Sequence, residues 1–207
     1  MSFASIPRDD ETRTRLSVYG KSLVAGLVGV ALGLAATFVA TYADYPFGAA
    51  NSGPWASWPR TGSTEADPYA QAIIARQAQA PLGSGEGLSF VARTDDDGRP
   101  LVGDCAYTLA GSPPVARLWT LGLFTPEGGL LPPGPGRRAI SSDELLRATD
   151  GSFVLAVAPT ARSGNWLATH AGAPFALALN LYDTSVSPTQ TALTGLSLLS
   201  IKRGDCL

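Results

Sequence analysis

The apolar positions of this chain follow two different rules. From Ser22 to Thr41 the residues SLVAGLVGVALGLAATFVAT carry no charge. A helix of that length rises about 30 Å at 1.5 Å per residue, the thickness of a bilayer's hydrocarbon layer. Tyr19 and Tyr42 stand at its edges, where aromatic rings favour the headgroup level. Further on, Tyr69, Ala70, Ile73, Ile74 and Gln77 recur at intervals of three and four, the signature of one helix face. Asp67 is a natural cap for this helix, Pro68 suits its first turn, and Pro81 stops it. After Gly87 the period falls to two. Leu88–Ala92 alternates, Asp95-Asp96-Asp97-Gly98 breaks the run, and Leu101–Leu109 follows, which predicts a hairpin around an Asp-Gly turn. Val115–Phe124 is almost wholly apolar and predicts a strand covered on both faces; Ser152–Ala158, the alternating Phe175–Leu181 and Ser197–Ile201 predict three more. Ser141 and Glu144 have capping-box spacing and predict a short helical turn before Asp150-Gly151. Many short strands between Gly/Pro turns predict a mainly β fold, a jelly-roll-like β-sandwich preceded by one short helix and by the N-terminal apolar helix.

Charge gives the apolar helix a direction. Arg8, Arg13, Arg15 and Lys21 precede it; after it the first charge is Asp44 and the first basic residue Arg60. The positive-inside rule therefore predicts a cytoplasmic N-terminus and an exported C-terminal domain. The expected division is a tail over 1–21, a transmembrane helix over 22–42, a neck over 43–66 and the β domain over 67–207. A cleaved signal peptide is the rival, with Thr41-Tyr42-Ala43 as a small-x-small site. The apolar run is longer than a signal core, and the leading segment carries Asp9, Asp10 and Glu11, so an uncleaved anchor is expected. Gly29 and Gly33 form a G-x-x-x-G that allows close helix approach and a weak homodimer. Pro46, Gly48, Gly53, Pro54, Pro59 and Gly62 make the neck read as extended, with Trp55 and Trp58 at the membrane interface or packed on the domain.

Composition narrows the chemistry. The net charge is −2 and scattered over 207 residues, with no basic patch to act as a phosphate footprint, so nucleic acid is not an expected partner. With 45% hydrophobic residues beside 23 Gly and 16 Pro, the chain suits a turn-rich β protein better than disorder. Cys105 and Cys206 are a disulfide candidate in an oxidising compartment; two buried thiols are the alternative. A single histidine, His170, leaves no zinc cluster, and no cofactor is expected. Asp95-Asp96-Asp97-Gly98 resembles the opening of a calcium loop but lacks its closing Glu, and reads as a solvated turn. A serine triad would need His170 with, for example, Ser163, and no G-x-S-x-G elbow is present. Asp104, Glu127, Asp143 and Asp183 are the carboxylates available for sugar hydrolysis, without any spacing that pairs two of them. Trp119, inside an apolar strand, reads as core. Asn165 and Trp166 fit either corner packing or a binding surface.

Read in order, several pieces resemble a bacterial family, the domain of unknown function 1214. They are Asp67-Pro68-Tyr69, Asp97-Gly98-x-Pro100-Leu101-x-Gly103 with Tyr107, Pro114-Val115, Leu118-Trp119-Thr120-Leu121, Asp150-Gly151-Ser152, Asn165-Trp166-Leu167 and Leu181-Tyr182. The resemblance covers roughly residues 65–207, and it is the series rather than any one motif that is specific. The family usually has a proline after Asn-Trp-Leu, where Ala168-Thr169-His170 stands here, and a basic residue near the position of Asn180. The resemblance implies a jelly-roll-like module, often joined to or encoded beside a sister domain of unknown function 1254, and implies no reaction. The resulting expectation is a non-catalytic interaction module in the bacterial inner membrane, facing the periplasm. Trp166, Asn165, His170 and Tyr182 are its candidate binding residues, and a sister-domain protein is its candidate partner. The alternative is a small envelope hydrolase or carbohydrate-active domain with an acidic site.

Overall fold

The computed structural model describes residues 9–42, 48–77, 81–83, 85–132, 134 and 136–207. The chain divides into two units, Met1–Asp44 and Tyr45–Leu207. The first holds one helix, α1 (Asp9–Tyr42), which begins thirteen residues before the uncharged run. Its Val18–Val39 portion has 22 residues and a mean hydropathy of 2.2, so it is long and apolar enough to cross a membrane. The Thr37 hydroxyl donates to the Gly33 carbonyl one turn back (2.9 Å), which satisfies it inside an apolar stretch.

The second unit is mainly β. A six-stranded sheet runs in the order β1 (Ala50–Ser52), β2 (Trp55–Ser57), β3 (Gly87–Ala92), β9 (Ala176–Thr184), β5 (Ala116–Phe124), β6 (Ala139–Ser141). A four-stranded sheet runs in the order β10 (Ser200–Cys206), β4 (Cys105–Ala110), β7 (Val154–Ala158), β8 (Asn165–Ala168). Two helices join them, α2 (Pro68–Gln77) and α3 (Gln190–Thr194). The strand period of two sorts the side chains: Phe90, Leu121, Leu177, Leu179 and Leu181 from one sheet meet Tyr107, Leu109, Leu155, Leu167 and Ile201 from the other in one core. Each fully buried leucine contributes about 2 kcal/mol of burial.

Four local expectations change. The neck is not extended throughout: residues 50–57 form the β1–β2 hairpin, turned at Gly53 (φ 57°), and β2 pairs with β3. Trp55 is a core residue whose indole N–H donates to the Leu199 carbonyl (2.7 Å), so for this tryptophan the membrane-interface reading falls. The Asp95–Gly98 turn forms, with a bridge between Thr94 and Pro100, but its arms enter different sheets. A second turn follows at Gly103, where a Cβ would lie 1.9 Å from the His170 carbonyl oxygen, so only glycine lets the two segments approach this closely. The Ser141–Glu144 box makes its reciprocal bond, Ser141 N–H to the Glu144 carboxylate (3.1 Å), yet caps a turn and not a helix. The Ser141 hydroxyl donates to the Asp143 (2.5 Å) and Glu144 (2.9 Å) carboxylates, and the neighbouring Ser142 hydroxyl accepts from the Trp119 N–H (3.3 Å).

Candidate functional site

The four residues singled out in the sequence do not converge. Asn165 and Trp166 begin β8, His170 is exposed in the loop after it, and Tyr182 lies on β9 in the other sheet, paired with Gly87 and Leu118. Asn165 is buried and structural. Its amide N–H groups donate to the carbonyls of Leu146 (2.8 Å) and Val154 (3.1 Å), while its oxygen accepts from the Leu146 N–H (2.8 Å). One side chain thereby ties the irregular 142–148 segment to the edge of the four-stranded sheet.

That tie shapes a surface. β7 and β8 are parallel, with Leu155 opposite Asn165, although only residues 159–164 connect them. Parallel pairing makes the chain double back along β7, so Gly164 (φ 82°) returns beside the start of that strand. Together the two features enclose an open depression of about 300 Å³, lined by Leu146, Phe153, Val154, Ala156 and Asn165 with Gly164 on its rim. None of its lining side chains is titratable. Phe153 is held from behind by a stacked contact with Trp119 (5.5 Å between ring centres) and covered by the Arg147 guanidinium at 5.3 Å. Leu146 is 67% exposed and Val154 58%, and both stand at this depression.

The register extends this surface. Leu155, Val157 and Leu167 face the core, so Val154, Ala156 and Trp166 face outward. One row crosses the outer face as Lys202, Thr108, Ala156 and Trp166. Trp166 is fixed in place, its N–H donating to the Ala158 carbonyl (3.1 Å) and its ring edge packed under Gly136, where a Cβ would come within 2.7 Å. Sequence reasoning found Trp166 but missed Leu146 and Val154. The available signal was that Phe153–Ala158 is apolar at both parities, one face more than a half-buried strand needs.

The acidic groups are engaged separately. Asp104 accepts from the Gly172 N–H (2.6 Å), Asp183 pairs with Arg117 (3.3 Å), and Asp143 accepts from the Ser141 hydroxyl (2.5 Å). Asp150 accepts from the hydroxyl and N–H of Ser152, which hold its carboxyl below the usual aspartate value. Asp95 corrects the solvated-turn reading. It is buried and ion-paired with Arg203 (2.8 Å), and it also accepts from the N–H groups of Arg99 (2.8 Å) and Asp97 (3.1 Å). Burial works against its charge, but the Arg99 N–H, the Arg203 guanidinium and the Asp97 N–H together hold its pKa below the ordinary aspartate value. Among the described residues no group of three His, Cys, Asp or Glu side chains is placed to hold a metal. Cys105 and Cys206 are joined by a disulfide that ties the end of β10 to the start of β4.

One solved structure shares this fold over part of the chain. The VPA0106 protein from Vibrio parahaemolyticus has a crystal structure that superposes with a TM-score of 0.54 at 16% identity, over 68% of this chain and 36% of that one. A putative uncharacterized protein from Burkholderia cenocepacia superposes with a TM-score of 0.45 at 18% identity, over 98% of this chain and 45% of that one. The chain thus spans less than half the length of either. No curated protein matches it. The family described as Protein of unknown function (DUF1214) matches residues 86–186, from the residue before β3 to just past β9. That match is narrower than the 65–207 expected and leaves Asp67-Pro68-Tyr69 outside it. Over residues 86–186, 101 of its 207 positions, the chain is therefore similar to the DUF1214 family.

Proposed function

We propose that the chain is a single-pass binding module of the bacterial inner membrane, with a cytoplasmic N-terminus and a periplasmic DUF1214 domain that holds a partner protein and performs no chemistry of its own. The observation that carries the reading is the pairing, in one chain, of an apolar helix behind a basic tail with a disulfide in the C-terminal unit. Cystines persist in oxidising compartments, and basic flanks stay in the cytoplasm. The untitratable depression supports binding over acid–base catalysis, because proton transfer needs an ionisable group at the site. The partner in this reading is a protein carrying the sister domain of unknown function 1254. In the Vibrio protein the comparable fold is about a third of a longer chain, which favours a module that works beside other domains. A weak self-association of the anchor through Gly29 and Gly33 belongs to the same reading, since small residues four apart let a second helix approach closely.

Affinity purification of the full chain from detergent-solubilised membranes tests it. The sister-domain protein is expected at near-stoichiometric enrichment over an unrelated single-pass bait. Repeated purifications without it would remove that partner. Turnover of a glycan or ester by the purified full chain would remove the non-catalytic reading.

A further inference from the structure

We propose that the outer surface of β7 and β8, from Trp166 across Ala156 to the depression under Leu146 and Val154, is a docking site for a partner segment presenting a bulky apolar side chain flanked by acidic residues. The inference rests on the reading of the chain as a binding module and names the surface that does the binding.

Three observations define the occupant. The depression is apolar, open and about 300 Å³, at the small end of ligand sites, which suits one inserted side chain better than an enclosed small molecule. Of the polar side chains in its wall, Asn165 spends its amide on Leu146 and Val154 and Ser152 bonds Asp150, which leaves Ser163 beside the apolar lining. The surroundings are cationic. Lys202 lies on the same cross-strand row as Ala156 and Trp166, Arg162 directly precedes the rim residues Ser163 and Gly164, and Arg147 lies between the lining residues Leu146 and Ala148. The acids nearby are already engaged: Asp150 by Ser152, Asp143 by the Ser141 hydroxyl and Glu144 by Arg137. An apolar centre beside Lys202, Arg162 and Arg147 complements an apolar anchor between acidic neighbours, the centre supplying affinity and the cations orientation and rate. The site is preformed, because its walls are held by Asn165 and its Trp by Gly136, so little ordering cost falls on binding.

The test uses the full chain in lipid nanodiscs and three fluorescent peptides: a Trp-Leu centre flanked by Asp and Glu, the same centre flanked by Lys, and the acidic flanks around Ser-Ser. The acidic Trp-Leu peptide is expected to bind, with affinity falling as salt rises, and the other two about tenfold or more weaker. Val154→Glu should weaken the first peptide about tenfold. Lys202→Glu combined with Arg162→Glu should weaken it and flatten the salt dependence. Val154, Lys202 and Arg162 are exposed, so the melting curve of each variant should match the parent, and Leu146→Glu provides a second apolar variant if one does not. Equal binding of all three peptides, or binding indifferent to both kinds of variant, would overturn the proposal. A parallel purification of the sister-domain protein separates this inference from the reading beneath it. Retention by parent and Val154→Glu alike sinks this surface and keeps the partner. Peptide discrimination without any retained sister protein keeps the surface and sinks that partner.

Discussion

Asp95 shows how much a single position can differ from its local pattern. Three consecutive aspartates before a glycine look like solvated turn chemistry, yet the first is buried and paired with Arg203, whose guanidinium also lies 5.4 Å over the Tyr107 ring and donates to the Pro100 carbonyl. The second, Asp96, accepts from the Ile201 N–H (3.0 Å) and returns a backbone N–H to the Ile201 carbonyl (3.0 Å). Replacing Asp95 by Asn should cost about 3 kcal/mol in denaturant unfolding, since it leaves a mostly buried guanidinium without its counter-ion. The pH dependence has a definite sign. A carboxyl with a lowered folded pKa contributes stability that is complete above its unfolded value, near 3.8, and is lost as pH falls through the folded one. The parent should therefore lose stability more steeply below that pH than Asp95→Asn does; parallel curves would show that the pair carries no such linkage.

At the scale of elements, the notable feature is how the sheet edges are closed. The outer edge of β10 is bonded by the Asp95–Gly98 turn through Asp96, and its far end is tied by the Cys105–Cys206 disulfide. The edge of β8 is met by Arg137, whose carbonyl accepts from the Ala168 N–H (2.8 Å), and β1 is bound by the Ser52 hydroxyl to the Leu196 carbonyl beside α3. With β1, β8 and β10, three of the four edges, so engaged, recognition through a sheet face fits this domain better than β-augmentation along those strands. The disulfide separates residues by 101 positions, and the chain-entropy account gives up to about 4–5 kcal/mol for a loop of that length. Cys206→Ser should lower stability by a large part of that amount, and reduction of the parent by dithiothreitol should reproduce the variant. Identical stability of oxidised and reduced protein would show the bond to be mechanically idle. The strands themselves were legible wherever period two was strict, as in β3 and β9. The three-residue β1, β2 and β6 were hidden, because so few residues carry no periodicity and their pairing is decided by neighbours far along the chain.

For the molecule as a whole, the topology is the claim with most at stake. A C-terminal alkaline phosphatase fusion, which is active only after export, should be active in intact cells, and a β-galactosidase fusion at the same site should not. The reverse result would remove the periplasmic reading and with it the compartment argument for the disulfide. The binding surface is a property of this scale too. Leu146 and Val154 come from an irregular segment and a strand, Trp166 from the next strand, and Lys202 from the opposite edge of the sheet, so no local window of the sequence contains the site.

The sequence alone determined what depends on near neighbours: the long apolar helix, the helix α2, the strand-forming alternation, the core role of Trp119 and the family's motif series. Tertiary structure decided which strands share a sheet, that Asn165 serves as a tie, that Asp95 is buried and that Tyr182 and Trp166 lie on different sheets. The physical reason is range. Periodicity and capping act within a few residues, whereas burial, pairing partner and surface shape depend on contacts between segments whose separation along the chain carries no information about their distance in space.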